Sequence, residues 1–170
     1  QGTHSLQAIG AFIPEAKPLT VFGQVAGAEG LQETRGQHYA PDQSLVKINY
    51  DNGVHAVLQC GANAPYVRRG DERTHTHKRI AVYGARGYIQ WTMWSWETFC
   101  DGVVESGAHE YGAEDILGQA GLTEAMFDWL EDDRAIHPLN LTLALQDFNI
   151  ILGMYMSALH HTVIPLPVEP

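Results

Sequence analysis

Apolar residues recur at helical spacing near the two ends of the chain and alternate with polar ones through its middle. Leu6, Ile9 and Ile13 fall three and four apart, which predicts a helix over residues 3–13, ended by Pro14. Nothing ahead of Leu6 reads as a complete helix start. This helix is therefore expected to continue upstream of Gln1, and the chain to be a piece of a longer protein. Residues 19–26, with Val, Phe and Thr, predict a strand. Residues 44–50 and 54–60 alternate on either side of Asp51-Asn52-Gly53, a tight-turn sequence, and predict a hairpin. Strands are expected over 75–83 and 88–94, joined by a glycine-bounded turn at 84–87, with a further one at 96–99. Residues 64–73 are polar and rich in Arg, Asp and Gly, which predicts a loop.

The period then changes. Leu122, Ala125, Met126, Trp129 and Leu130 predict an amphipathic helix, to be broken by His137-Pro138. Ala144, Phe148, Ile151, Leu152, Tyr155 and Leu159 mark a second helix. Leu141, Leu145 and Ile150 add apolar positions on its other faces, so it is expected to be largely buried. A short strand over 163–166 closes the chain. Strands and helices are segregated, which predicts an α+β domain: an open-faced, mostly antiparallel sheet with helices packed on one face. The strands are β-branched and rich in tryptophan, so the other face is expected to be partly apolar and to find a partner surface.

Composition narrows the partners. With 170 residues, 45% of them hydrophobic and 18% charged, the chain suffices for one folded domain. A net charge of −10 argues against nucleic acid, which demands a basic face, and against an anionic membrane surface. No apolar run has the length of a membrane span, and residues 1–13 lack the basic start and cleavage site of a leader. Cys60 and Cys100 form no CxxC pair. Two thiols fit a reducing compartment, so a cytoplasmic location is expected; whether they pair is left open. Asn140-Leu141-Thr142 matches a glycosylation sequon, a triplet common by chance.

Few residues suggest chemistry. Gly23-Gln24-Val25-Ala26-Gly27 lies within a strand, and Gly84-Ala85-Arg86-Gly87 joins two strands. Neither offers a helix N-terminus to a pyrophosphate, so no dinucleotide cofactor is expected on this chain. His4 at the first helix is either a general acid/base or an exposed histidine. His75 and His77 share one face of a strand and are within reach of one metal ion. No carboxylate follows at useful spacing, and Lys78 and Arg79 crowd the pair, which favours a solvated strand face and no metal. Asp101, Glu105, Glu110, Glu114 and Asp115 read as an acidic loop leading to a helix, and His160-His161 as cations that complement a helix end. Trp91, Trp94 and Trp96 read as core or interface residues, with a sugar site at a sheet edge as the other reading.

The pieces taken in order resemble the C-terminal domain of the Gfo/Idh/MocA family, the glucose–fructose oxidoreductase and inositol dehydrogenase superfamily. Gly2-Thr3-His4-Ser5-Leu6 is similar to its D-x-G-x-H helix opening, and Tyr50-Asp51-Asn52-Gly53 to its Y-x-(D/N)-G hairpin. Residues 80–89, IAVYGARGYI, are similar to its I-x-V-x-G-T-x-G strand–turn–strand. Ser157-Ala158 and then residues 163–167 resemble its closing S-A and V-x-L-P. The resemblance covers essentially all of the chain and implies a two-domain NAD(P)-dependent enzyme, in which residues 1–170 are the substrate-binding and oligomerisation domain. The Rossmann domain that holds NAD or NADP, with the E-K-P lysine, lies outside this chain. The implied substrate is a sugar, polyol or related hydroxy compound, and the implied assembly a homodimer or homotetramer through the open sheet face. The resemblance makes His4 the catalytic residue and places its Asp partner immediately before Gln1, so the fragment alone is expected to be inactive. Thr3, Arg68, Arg69 and His75 are candidate substrate contacts. Two other readings stay open: a non-catalytic self-association module, and a metal-dependent β-rich enzyme using His75 and His77.

Overall fold

The computed structural model describes residues 2–26, 43–61 and 78–168. In chain order its elements are α1 (Gly2–Phe12), β1 (Pro18–Val25), β2 (Gln43–Tyr50), β3 (His55–Gly61), β4 (Arg79–Gly84), β5 (Gly87–Thr92), β6 (Ser95–Cys100), β7 (Val103–Ala108), α2 (Tyr111–Glu131), α3 (Leu141–His160) and β8 (Ile164–Pro165). They fall into two compact units, one formed by Gln1–Ala64 with Leu139–Pro170, the other by Pro65–Pro138. Each holds an open four-stranded antiparallel sheet, so the fold is α+β.

In the first unit the strand order is β3-β2-β1-β8. Gly53 takes φ +82°, which glycine tolerates, and Asn52 Oδ1 accepts from the Val54 amide at 3.1 Å, closing the expected β2–β3 hairpin. The register sets Val21, Ile48 and Ala56 in one row and Gly23, Val46 and Leu58 in the next. These rows carry the buried side chains of the sheet. Helix α3 packs on β1 and β8, and α1 packs on β3 and α3. Leu6, Val21, Val46, Ile48, Ile150 and Met154 form the core. Burying each such side chain stabilises the fold by about 1.5–3 kcal/mol.

Contact between α3 and β1 depends on two glycines. A Cβ on Gly23 would lie 2.6 Å from Met154 Cγ, and one on Gly153 would lie 2.7 Å from Val21 Cγ1. Between them Ser157, fully buried, accepts from the Gly23 amide at 2.9 Å and donates to the Thr162 carbonyl at 2.5 Å. Strand β8 pairs with β1 only at Thr20 and Val21, so Ser157 satisfies an amide that the short edge strand leaves uncovered. The open face of this sheet carries exposed Phe22, Leu45 and Val57, with a polar ladder beside them. There Asn49 Nδ2 donates to Thr20 Oγ1, and Asn49 Oδ1 lies 2.8 Å from His55 Nδ1.

The second unit is a meander, β4-β5-β6-β7, followed by α2. Several boundaries differ from the pattern reading. Of the strand expected over 75–83, residues 75–77 lie outside the described residues and β4 runs from Arg79, and the strand expected to reach Trp94 ends at Thr92. Thr92 Oγ1 accepts from the Trp94 and Ser95 amides, both at 3.1 Å, and so turns the chain. The acidic stretch is not one loop. Asp101 and Gly102, at φ 49° and 88°, form a tight turn, and Val103–Ala108 pairs along β6 as β7. The Asp-Gly pair flanked by Cys100 and Val103-Val104 is the hairpin signal that identifies this strand. Helix α2 stops at Glu131, well ahead of His137-Pro138, because Asp132 turns back on the chain: its Oδ1 accepts from the Arg134 amide at 2.9 Å. Helix α3 is buried along one face only, with Leu141, Leu145 and Phe148 exposed. Its N-cap is Asn140, whose side chain accepts from the Leu143 amide at 3.1 Å, giving the sequon asparagine a structural role. His160 and His161 end α3 as expected.

Gly153→Ala should overpack the α3–β1 contact and cost about 1–3 kcal/mol, read as a lower urea midpoint at unchanged slope. A variant as stable as the parent would show that this contact has room to spare.

Candidate functional site

The first unit contains a cleft of about 350 Å³ bounded by the start of α1, the paired ends of β2 and β3, and the middle of α3. Leu6, Val46, Leu58, Ile150, Ile151 and Met154 give it apolar walls. Thr3, Ser44, Cys60 and Tyr155 bring hydroxyl and thiol groups, and none of the described lining residues is charged. A few neutral polar groups on an apolar surface suit an uncharged ligand held by hydrogen bonds. Ser44 and Cys60 meet here because they are cross-strand partners on the helix-covered face.

The expected site residues divide cleanly. Thr3 lines the cleft. His4 follows it on the first turn of α1 and is exposed, outside the lining. Arg68, Arg69, His75 and His77 lie outside the described residues. Among the described residues no cluster of three His, Cys, Asp or Glu could hold a metal ion, and both cysteines are free thiols. No helix in the described residues is long and apolar enough to cross a membrane.

Beside the cleft stands a feature that pattern reading did not single out. Asp147, on α3, is buried and accepts a hydrogen bond from Gln7 Nε2 on α1. Gln7 follows His4 by one helical turn, so this bond ties the turn that carries Thr3 and His4 to α3. Burial pushes the Asp147 carboxyl above its ordinary pKa, with the Gln7 bond opposing. Burial, and then the Asp147 charge, push the nearby Tyr50 phenol up to about 12. The available signal was a lone acidic residue within an apolar helical run, LTLALQDFNIIL.

The second unit has a different polar centre. His109, just ahead of α2, places Nε2 2.7 Å from the Thr92 carbonyl and Nδ1 2.6 Å from a Glu114 oxygen. Trp91 lies against its ring, centroids 5.4 Å apart. Both ring nitrogens face acceptors, so the Thr92 carbonyl first and the Glu114 carboxylate second raise its pKa against the effect of desolvation. This joins the β5–β6 turn to the first turn of α2.

No family model matches the chain, and no curated protein does either. Solved structures do match. An oxidoreductase from Agrobacterium radiobacter in complex with NAD+, L-tartaric acid and magnesium aligns at a TM-score of 0.73 and 14% identity, over 97% of this chain and 47% of that one. An inositol dehydrogenase homologue from Azotobacter vinelandii complexed with NAD+ aligns at 0.67 and 14%, over 96% and 47%. The chain therefore shares its fold with about half of each of these oxidoreductases, as the resemblance to the Gfo/Idh/MocA C-terminal domain led one to expect. A dehydrogenase from Bordetella pertussis in complex with NADH and UDP-GlcNAcA shares the fold at 0.59 and 14%, over 99% and 44%. The chain spans about half the length of each of these proteins. The segments that carried the Gfo/Idh/MocA resemblance fall on the opening of α1, the β2–β3 hairpin, the β4–β5 hairpin, and α3 with β8.

Two pH effects follow. The folded chain holds the Asp147 proton to higher pH than the unfolded chain does, so stability should fall as pH rises from 3.8 through the raised value. Asp147→Asn should remove that fall and match or exceed the parent near neutral pH, in urea titrations across pH. His109 has the opposite partners. Its contribution should be complete below pH 6.5 and be lost as pH rises through its raised value, and His109→Gln should flatten that region.

Proposed function

We propose that this chain is the substrate-binding and assembly domain of an NAD(P)-dependent oxidoreductase that acts on a sugar, polyol or related hydroxy compound. The observation that carries the reading is its fold, which is shared with half of oxidoreductases solved with NAD+ or NADH. Gly23 is inside β1 against α3, and Gly84 and Gly87 face each other across a strand turn, so neither segment opens a helix. The reading therefore assigns the cofactor to a Rossmann domain outside this chain and gives this chain the substrate side.

In that role His4 is the proton acceptor. Its position on an exposed first turn beside Thr3 leaves the imidazole accessible to a hydroxyl group. It takes the hydroxyl proton as hydride leaves the same carbon, so the alcohol becomes a carbonyl and both hydrogens are accounted for. Thr3, Ser44 and Tyr155 supply neutral hydrogen-bonding groups to the bound compound. The Asp147–Gln7 bond holds α1 in place. The exposed Phe22, Leu45 and Val57 on the open sheet face support an assembly role.

The test uses the chain joined to its upstream coding sequence. That protein should reduce NAD+ or NADP+ with at least one polyol, and His4→Ala should lower kcat by about 10²–10⁴-fold with a smaller change in KM. The 170-residue chain by itself should show no such activity. Activity in the isolated chain, or an unimpaired His4→Ala enzyme, would contradict the reading.

A further inference from the structure

The turn between β2 and β3 contains the chain's one Asn-Gly pair, Asn52-Gly53. Both residues are exposed, and a Cβ on Gly53 would meet nothing within 4 Å. Glycine removes the side chain that ordinarily keeps a backbone nitrogen away from the carboxamide of the preceding asparagine. Asn52 Oδ1 accepts from the Val54 amide at 3.1 Å, so the carboxamide is folded over the Gly53 peptide. The same N–H is placed to stabilise negative charge on that oxygen when its carbon is attacked. The Gly53 nitrogen donates to the Tyr50 carbonyl at 3.1 Å, in an exposed turn whose opening costs little. The other described asparagines are less free. Asn49 and Asn140 precede Tyr50 and Leu141 and engage Thr20 and the Leu143 amide. Asn149 precedes Ile150 inside α3 and bonds to the Leu145 carbonyl and the Val168 amide. At Asp101-Gly102, Arg86 pairs with the Asp101 carboxyl and holds it below its ordinary pKa, so it stays ionised and resists attack.

We propose that Asn52 is a site of spontaneous covalent modification, where the carboxamide is converted to aspartate and isoaspartate. The Gly53 nitrogen gives its proton to solvent and forms a bond to Asn52 Cγ. The bond from Cγ to Nδ2 breaks, Nδ2 leaves as ammonia, and a five-membered succinimide remains. Water then adds to one ring carbonyl and breaks its bond to the ring nitrogen. Opening at Cγ gives aspartate, and opening at the main-chain carbonyl gives isoaspartate. Water enters and ammonia leaves, with no oxidant or reductant. The two products differ in consequence. Aspartate accepts the Val54 bond as asparagine does, and Asp-Gly suits the same turn. Isoaspartate adds one methylene to the main chain between positions 52 and 53, in a turn closed at fixed spacing: the Tyr50 amide donates to the Val54 carbonyl at 3.0 Å. The turn is also docked on the link between α1 and β1. The Asp51 amide donates to the Lys17 carbonyl at 3.0 Å, and Asp51 Oδ1 accepts from the Lys17 amide at 2.9 Å. The isoaspartyl form therefore loosens both the hairpin and its tie to the start of β1. This chemistry is independent of the enzymatic reading.

The test ages the 170-residue chain at mildly alkaline pH and follows each asparagine by peptide mass spectrometry. Asn52 should convert at least about 10-fold faster than Asn49, Asn140 or Asn149. Its rate in the folded chain should lie within about 10-fold of its rate in the urea-unfolded chain, because only the turn has to open. The aged chain should become a substrate for a protein isoaspartyl methyltransferase and should show a lower urea midpoint. Repair by that methyltransferase, which returns isoaspartate to aspartate, should restore the midpoint, and freshly prepared Asn52→Asp should match the parent. An Asn52 that converts no faster than the other asparagines, or converts only when the chain is unfolded, would overturn the proposal. So would an isoaspartyl chain as stable as the parent. An Asn52→Asp chain as destabilised as the aged one would assign the effect to the new charge and contradict the role given to main-chain length.

Discussion

The first unit depends on how closely α3 approaches β1. Gly23 and Gly153 remove the side chains that would hold the two elements apart, and Ser157 fills the gap with a hydroxyl that bonds strand and helix terminus together. A helix set this near the sheet brings Ile150 and Met154 into the core with Val21, Val46 and Ile48. It also fixes α1, because Leu6 packs into that core and Gln7 bonds to Asp147. The cleft is what remains between α1, α3 and the β2–β3 ends once these contacts are made.

This order of dependence separates scaffold from site. The buried groups, Ser157 and Asp147, serve position, whereas Thr3 and His4, to which the proposed function gives the chemistry, lie at the start of α1. Asp147 bears a cost for its place, since burial disfavours its charge and only one hydrogen bond opposes that. In the second unit His109 has the reverse balance, with acceptors on both nitrogens that favour its charged form. Rising pH weakens each unit for a different reason: one carboxylate gains an unfavourable charge, and one imidazolium loses a favourable one.

Much of the fold was legible in the sequence because period and turn chemistry are local. Asp51-Asn52-Gly53 and the alternation around it suffice for the β2–β3 hairpin, and Pro14 for the limit of α1. Strand β7 was obscured by Glu105, whose charge is tolerable on an exposed strand, although Asp101-Gly102 marked the turn. The end of α2 was misjudged because an Asx turn at Asp132 competes with the helix more effectively than a distant proline does. The glycine at position 23 reads in sequence as a failed phosphate loop, and only the packing of Met154 against it reveals its role. Asp147 was illegible for the same reason: its meaning depends on Gln7, 140 positions away in the chain.

Native-state hydrogen exchange at the Gly23 amide tests the central packing claim most directly. If Ser157 and the close approach of α3 hold the first unit together, this amide should exchange as slowly as those of Val21 and Ile48, and only through global unfolding. Exchange at the rate of a free edge-strand amide, with Val21 and Ile48 still protected, would contradict the account.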